Sequence, residues 1–167
     1  VGGVAIAFAL IMWFKRSEES PDSVGTDTYT ENRKVEIAQF WQRYNDASQY
    51  RRTGDFESAV TSYREARHLN DRHEDTLYYL GNTLTEVGRH AEAAEVFQDL
   101  IGHNALSARG HFQLGFVLSI SESPDVFDLE GARAAFERAF EINPEQSGPT
   151  VRRGEIALVT ESFSDAT

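Results

Sequence analysis

The sequence contains no cysteine, and its basic residues are scarce relative to its acidic ones. The 167 residues include 16 Lys and Arg against 27 Asp and Glu, which gives a formal net charge of −11. The lack of cysteine excludes disulfides, thiol chemistry and attachment to a membrane through a lipid-modified cysteine. The acidic balance opposes binding to nucleic acid through a general electrostatic surface. We therefore expect protein partners and no nucleic-acid partner.

Motifs for catalysis and for metal binding are also absent. The five histidines form no H-x-x-x-H or H-E-x-x-H pair, which would place two imidazoles on one helical face. The sequence has no glycine-rich phosphate loop, G-x-S-x-G elbow or calcium loop. Acidic side chains are numerous, but carboxylates on helices are usually solvated. We predict that the protein is not an enzyme and that it needs no metal or cofactor.

What the sequence does contain is a repeat of 34 residues. This spacing relates Ala47 to Gly81 and Gly115, Gly54 to Gly88, Ala59 to Ala93, Tyr63 to Phe97, and Ala66 to Leu100. A fixed period of this length indicates stacked copies of one supersecondary unit. Each copy has a small residue within a helix, a glycine in a turn, and then a small and aromatic stripe. That pattern predicts two short antiparallel helices in close contact.

The repeat resembles the tetratricopeptide repeat (TPR) family, whose pattern is W-x2-L-G-x2-Y, a turn glycine, A-x3-F-x2-A and a closing proline. The second copy matches it best, with Leu77, Leu80, Gly81, Leu84, Gly88, Ala93, Phe97 and Leu100. The third copy carries Leu114, Gly115, Leu118, Ala132, Phe136, Ala139 and Pro144. Its five additional residues fall in Ser121–Asp125, a run that suits a longer turn. The first copy departs from the pattern, because Asp46 occupies the slot of Leu80.

The resemblance implies an all-α fold, a TPR helix-turn-helix solenoid of about three and a half repeats. We expect the TPR domain to span residues 36–167. Its repeats are predicted at about 40–73, 74–107 and 108–146, with a partial repeat at 147–167. For function, the resemblance implies little beyond protein binding.

The N-terminal residues are predicted to form a membrane anchor. Val1–Phe14 is wholly apolar or glycine, whereas a spanning helix needs about 20 such residues, so residues 1–16 resemble the C-terminal part of a span. Trp13 at the end of this run and Lys15 and Arg16 after it are typical of an interfacial anchor. A cleaved signal peptide is the alternative. We expect a single-pass membrane protein whose repeats are extracytoplasmic, in the periplasm, by analogy with anchored bacterial TPR proteins. Lys15 and Arg16 favour the cytoplasmic side instead.

Residues 17–35 are predicted to be a flexible acidic tether. The segment contains many Ser, Thr, Asp and Glu residues and few apolar ones. Such a composition buries too little surface to offset the entropy of ordering. The repeats and their partner should therefore lie close to the membrane.

The resemblance also implies a binding groove lined by the first helix of each repeat. Transferred onto this sequence, the groove residues are Trp41, Tyr44, Ser48, Tyr78, Tyr79, Asn82, Arg109, Phe112, Gln113 and Phe116. So many aromatics suit an extended or helical peptide with apolar side chains. Asn82 would hydrogen-bond the peptide backbone, and Arg109 would pair with an acidic group. The alternative is that several rings, Tyr44 and Phe116 among them, fill contacts between repeats.

Three functions fit this interpretation. The first, which we favour, is an accessory or scaffold subunit that docks on a larger membrane complex. The second is an assembly factor or chaperone for envelope or cytochrome proteins. The third is an import-receptor-like protein that binds basic presequences. The TPR clamp for heat-shock chaperone carboxylates is not expected, because its slots hold Tyr44, Ser48, Tyr79, Arg109 and Gln113, and only Arg109 matches in charge.

Overall fold

The computed structural model describes residues 21–145 and residue 148, and the chain divides into two units, Val1–Gln39 and Phe40–Thr167. The described part contains six α-helices and no strand. The helices are α1 Pro21–Thr53, α2 Phe56–Leu69, α3 Glu74–Glu86, α4 His90–His103, α5 Ala108–Ile120 and α6 Leu129–Ile142. Odd-numbered helices take the first position of each helix pair and even-numbered helices the second. The predicted all-α class is confirmed for this part of the chain.

Glycine and polar caps set where the helices end and begin. Gly54 and Gly88 have φ of +83° and +75°, the left-handed conformation that a turn after a helix requires and that glycine adopts readily. The predicted turn glycines are thus confirmed. Asp55 accepts a hydrogen bond from the Ser58 N–H at 3.2 Å and begins α2.

Small residues allow the two helices of a pair to approach closely, as the period predicts. A Cβ built on Gly115 would lie 2.9 Å from Phe136 Cε1 and 3.0 Å from the Ala132 carbonyl oxygen, so only glycine fits in α5 without movement. In the first pair, Ala47 and Tyr63 are both fully buried. A small residue thus packs against an aromatic ring in the second and third copies, and Ala47 and Tyr63 of the first copy lie in one core cluster.

The insertion in the third copy is absorbed by the connection between α5 and α6. It begins at Ser121 and ends at Asp128, whose N–H donates to the Leu118 carbonyl at 3.1 Å and whose carboxylate caps α6. The added residues lengthen the turn, and Val126, which follows them, packs on the core.

The structure differs from the expected tether. Residues 21–35 lie in α1, and side chains 29–39 are exposed. The composition of this segment correctly indicates that it buries little surface, but burial is not needed for helix formation. Glu31 and Lys34 are good helix formers and form an ion pair at 2.8 Å. Once a helix exists, each further residue whose backbone is ordered adds one hydrogen bond, so such residues extend it readily.

Two predicted segments fall outside the described residues. They are the anchor at 1–16 and, apart from Gly148, the partial fourth repeat at 147–167. Within the described part of the chain, no helix combines the length and the apolar character that crossing a membrane requires.

Candidate functional site

Side chains from α1, α3 and α5 form one surface, which we call the first-helix surface. It comprises Trp41, Tyr44, Ser48 and Arg51 of α1, Asp75, Tyr78, Tyr79 and Asn82 of α3, and Arg109, Phe112, Gln113 and Phe116 of α5. Side-chain contacts join α3 to both neighbouring helices. The Arg51 guanidinium of α1 lies over the Tyr79 ring, and Arg109 of α5 pairs with Asp75. The three helices therefore present a continuous set of side chains.

A chain of tyrosines lies at the centre of this surface. Tyr44 contacts Tyr63 edge-on at 5.9 Å between ring centroids, and Tyr63 stacks on Tyr79 at 6.3 Å. Tyr79 contacts Tyr78 edge-on at 5.2 Å. Tyr63 belongs to α2 and is fully buried, with its hydroxyl 3.1 Å from Ser48 Oγ. The other three rings are half-buried, so they are held by packing while one side of each faces solvent.

The hydroxyl of Tyr44 lies in a partly desolvated and negatively charged environment. Burial raises the pKa of Tyr44 above its ordinary value of 10.0, and the Asp75 carboxylate raises it further. The positive charge of Arg51 acts in the opposite direction. The phenol is therefore neutral at physiological pH and available as a hydrogen-bond donor.

Arg109 has acidic partners within the chain. Its Nη2 donates to Asp75 Oδ1 at 2.6 Å and lies 3.6 Å from Glu74 Oε2. Its guanidinium also lies 4.8 Å from the Tyr78 ring centroid, and Gln113 Nε2 donates to the Tyr78 hydroxyl at 3.4 Å. The sequence predicts that Arg109 pairs with an acidic group of a partner, whereas the structure shows this charge engaged between α3 and α5.

Arg51, which the sequence analysis missed, is the contrasting cation. Its guanidinium carbon lies 4.6 Å from the Tyr79 ring centroid, and its Nε is buried without a hydrogen-bond partner. Among the residues described, no carboxylate lies within ion-pair distance of it. Arg51 lies one helical turn after Ser48, on the same side of α1. The same register could have found Arg51, which lies one turn after Ser48, and Asp75, which lies 34 residues after Trp41 and so takes the corresponding place on α3.

Trp41 is part of an aromatic cluster around a histidine. The His73 ring lies 4.9 Å from Phe40, 5.5 Å from Trp41 and 5.4 Å from Tyr44, each in an edge-on arrangement. His73 Nδ1 also accepts the Thr76 N–H at 3.2 Å and caps α3. Trp41 is 46% exposed, so it extends the first-helix surface at its α1 end.

Phe112 and Phe116 contribute mainly to packing between α5 and α6. Phe112 lies 5.5 Å from the Phe136 ring centroid, and a Cβ on Gly148 would lie 3.0 Å from Phe112 Cε2. Phe116 packs against the cluster of Ala132 and Phe136. These contacts lie mainly between the two helices of the third repeat, whereas the alternative stated from the sequence was contact between repeats.

Asn82 differs from its neighbours on α3. It is half-buried, and its amide makes no hydrogen bond to any other residue that the structure describes. An amide offers two donors and an acceptor, which matches the backbone of an extended peptide. The role predicted for Asn82 is therefore open to test.

A cleft of about 470 Å³ lies elsewhere, between the turn at Gly88–Glu92 and the loop at Ser121–Ser123. Its main charged groups are already paired: Arg89 Nε donates to Glu92 Oε1 at 2.6 Å. This hydrogen bond lowers the pKa of the Glu92 carboxyl. Over the described ranges, no group of three or more His, Asp or Glu residues is arranged to hold a metal ion. The cleft therefore offers no obvious chemistry.

Comparison with known proteins agrees with the fold. A family model described as tetratricopeptide repeat matches residues 44–109. No curated protein matches the chain.

Three solved structures illustrate the likeness. The first TPR of Spaghetti (RPAP3), solved with the HSP90 peptide SRMEEVD, has TM-score 0.67 and 14% identity, over 74% of this chain and 94% of that one. The Arabidopsis OM64 TPR domain has TM-score 0.65 and 13% identity, over 72% and 96%. MamA from Desulfovibrio magneticus RS-1 has TM-score 0.64 and 21% identity, over 74% and 67%. The match covers part of the chain, and together with these neighbours it supports a TPR-like fold, because the described residues form an all-α helical solenoid.

Proposed function

We propose that the protein is a protein–protein interaction module that binds an extended segment of a partner on its first-helix surface. The observation that carries this proposal is the set of half-buried tyrosines Tyr44, Tyr78 and Tyr79 beside the Asn82 amide, which has no hydrogen-bond partner in the described part of the chain. The rings are fixed by packing, so little side-chain entropy is lost when a partner covers them. Tyrosines of this kind supply the large contact area of binding hot spots.

We further propose that this module is a membrane-anchored accessory or scaffold subunit of a larger membrane complex, with its repeats in the periplasm. The apolar run Val1–Phe14 supports the attachment. The engagement of Glu74 and Asp75 by Arg109 supports this role over an import receptor. An import receptor would need free carboxylates on this surface to bind basic presequences.

A test is to purify the tagged full-length protein from solubilised membranes and to measure which proteins accompany it at fixed stoichiometry. Asn82→Arg places a long charged side chain on the first-helix surface and should remove these partners. Gln98→Arg adds the same side chain at an exposed position of α4 and is the matched control. Recovery of the same partners with Asn82→Arg would refute binding at this surface. Exchangeable, substoichiometric recovery would favour the assembly-factor alternative.

A further inference from the structure

The two cations of the first-helix surface have different surroundings. Arg109 lies 2.6 Å from Asp75 and 3.6 Å from Glu74, so its charge is already neutralised within the chain. Among the described residues, Arg51 has the face of Tyr79 at 4.6 Å and no carboxylate partner, and its Nε is buried without a hydrogen bond to any of them. A buried guanidinium N–H without an acceptor leaves a desolvation cost uncompensated. The Arg109 charge on α5 is therefore paired with carboxylates, whereas the Arg51 charge between α1 and α3 has no carboxylate partner among the described residues.

We propose that Arg51 binds the carboxylate of an Asp or Glu side chain within the partner's extended segment. The inference rests on the proposed function and specifies the partner's chemistry. The Nη groups of a guanidinium that lies over an aromatic ring can still donate hydrogen bonds to a planar carboxylate. Tyr79 holds that plane in place.

The neighbouring groups favour an internal acidic side chain over the carboxylate of a chain terminus. Asn82 follows Tyr79 by three residues on α3, so it lies on the same side of the helix about one turn further along. An amide there would bind the backbone of a segment that continues past Arg51. The Tyr44 phenol, which interacts electrostatically with Arg51, remains neutral and offers a donor rather than a second charge.

The acidic net charge of the chain does not oppose this assignment. At physiological ionic strength the Debye length is about 8 Å, so exposed carboxylates further away act weakly at Arg51. The nearby Asp75 is neutralised by Arg109. Arg51 therefore keeps a charge that no carboxylate of the described residues pairs with, although the chain as a whole carries −11.

The experiment uses a randomised peptide library with blocked termini, selected against the immobilised full-length protein in detergent. Each selected peptide is then synthesised as a pair in which Asp or Glu is retained or replaced by Asn or Gln. Both are measured against the unaltered protein, Arg51→Met and Arg52→Met. Arg52 is exposed, adjacent and of equal charge, so it controls for net charge.

We expect an acidic residue in the selected peptides, and a loss of roughly tenfold to a hundredfold when it is replaced by its amide. The same loss should appear with Arg52→Met and should shrink to less than about threefold with Arg51→Met. An equal loss with Arg51→Met would overturn the assignment. Where Arg51→Met folds poorly, the peptide pair on the unaltered protein still tests the proposal, because equal binding of the acidic peptide and its amide counterpart would overturn it.

Other outcomes separate the two proposals. Peptides that depend on Asn82 but contain no acidic residue would overturn the role of Arg51 and leave the first-helix surface as the binding site. Peptides whose binding is unaffected by Asn82→Arg would refute the proposed function itself. Binding that appears only when the peptide's C-terminus is free would show that Arg51 does not read an internal side chain.

Discussion

Gly81 of α3 lies directly against the ring of Phe97 of α4. A Cβ built on Gly81 would come within 2.5 Å of Phe97 Cζ and 2.6 Å of Cε1, and Phe97 is fully buried. No rotation of a buried ring provides the missing space, since protein cores are packed to the density of crystals. The absence of one methyl group therefore sets the distance between these two helices.

Gly81→Ala should destabilise the fold. Alanine stabilises a helix by about 1 kcal/mol relative to glycine. Overpacking of a tight core costs about 1 to 3 kcal/mol, and the short distance to Phe97 favours the upper part of that range. Urea denaturation measures the free energy of unfolding. Gly102→Ala in α4 is the control, because nothing lies within 4 Å of its Cβ position and it should be neutral or stabilising. Equal effects from both substitutions would show that the Gly81 contact is absent.

Phe112 should behave as a packing residue rather than as a binding residue. Phe112→Ala removes its contact with Phe136, and we expect a loss of about 2 kcal/mol, below the usual range for a fully buried Phe because this ring is half-buried. Asn82→Ala should change the free energy of unfolding by about 0.5 kcal/mol or less. Thermal denaturation compares the two. If Phe112→Ala left the free energy of unfolding unchanged, Phe112 would be a binding residue rather than a packing residue.

The fold was accessible from the sequence because its signals are local and periodic. Ala47, Gly81 and Gly115 identify the helix contacts, and Gly54 and Gly88 identify the turns. The charge arrangement of the first-helix surface was not accessible in this way. The type and position of Arg109 suit a partner-binding residue. Its pairing with Asp75, however, spans 34 residues of sequence and depends on how α3 and α5 pack.

The extended α1 could not be predicted for a different reason. Composition reports whether a segment buries apolar surface, and residues 29–39 do not. It does not report whether an existing helix continues through good helix formers such as Glu31 and Lys34. Both differences from the sequence-based expectation arise where backbone geometry or tertiary contacts decide the outcome and periodicity carries no information.

Stability at acid pH should depend on Glu92. Its pKa is held below the ordinary value of 4.5, first by the hydrogen bond from Arg89. A carboxyl whose folded pKa is depressed stabilises the fold above its unfolded pKa, and this contribution is lost as pH falls through the lower folded value. The free energy of unfolding should therefore fall more steeply below pH 4.5 in the unaltered protein than in Glu92→Gln.

The control for this measurement is Glu95→Gln, which alters an exposed carboxyl of the same helix with no ion pair among the described residues. It should keep the acid dependence of the unaltered protein. Partial exposure and salt screening make the Glu92 effect small, so the comparison is best made at low ionic strength. Identical acid profiles for Glu92→Gln and the unaltered protein would contradict the pairing.

Stability at alkaline pH should depend on Tyr44. Burial, and then Asp75, raise the pKa of its phenol above 10.0 in the folded state. The unfolded chain therefore loses this proton first as pH rises. The contribution of Tyr44 is fully present below pH 10 and is lost as pH rises through the folded pKa.

Tyr44→Phe has no proton to lose, so its free energy of unfolding should decline less between about pH 9.5 and 11. Tyr50→Phe, at a more exposed position of α1, should decline as the unaltered protein does. Urea denaturation at several alkaline pH values measures the three proteins together. If Tyr44→Phe declined in parallel with the other two, the Tyr44 hydroxyl would not lie in the desolvated, Asp75-facing position on which the description of the first-helix surface depends.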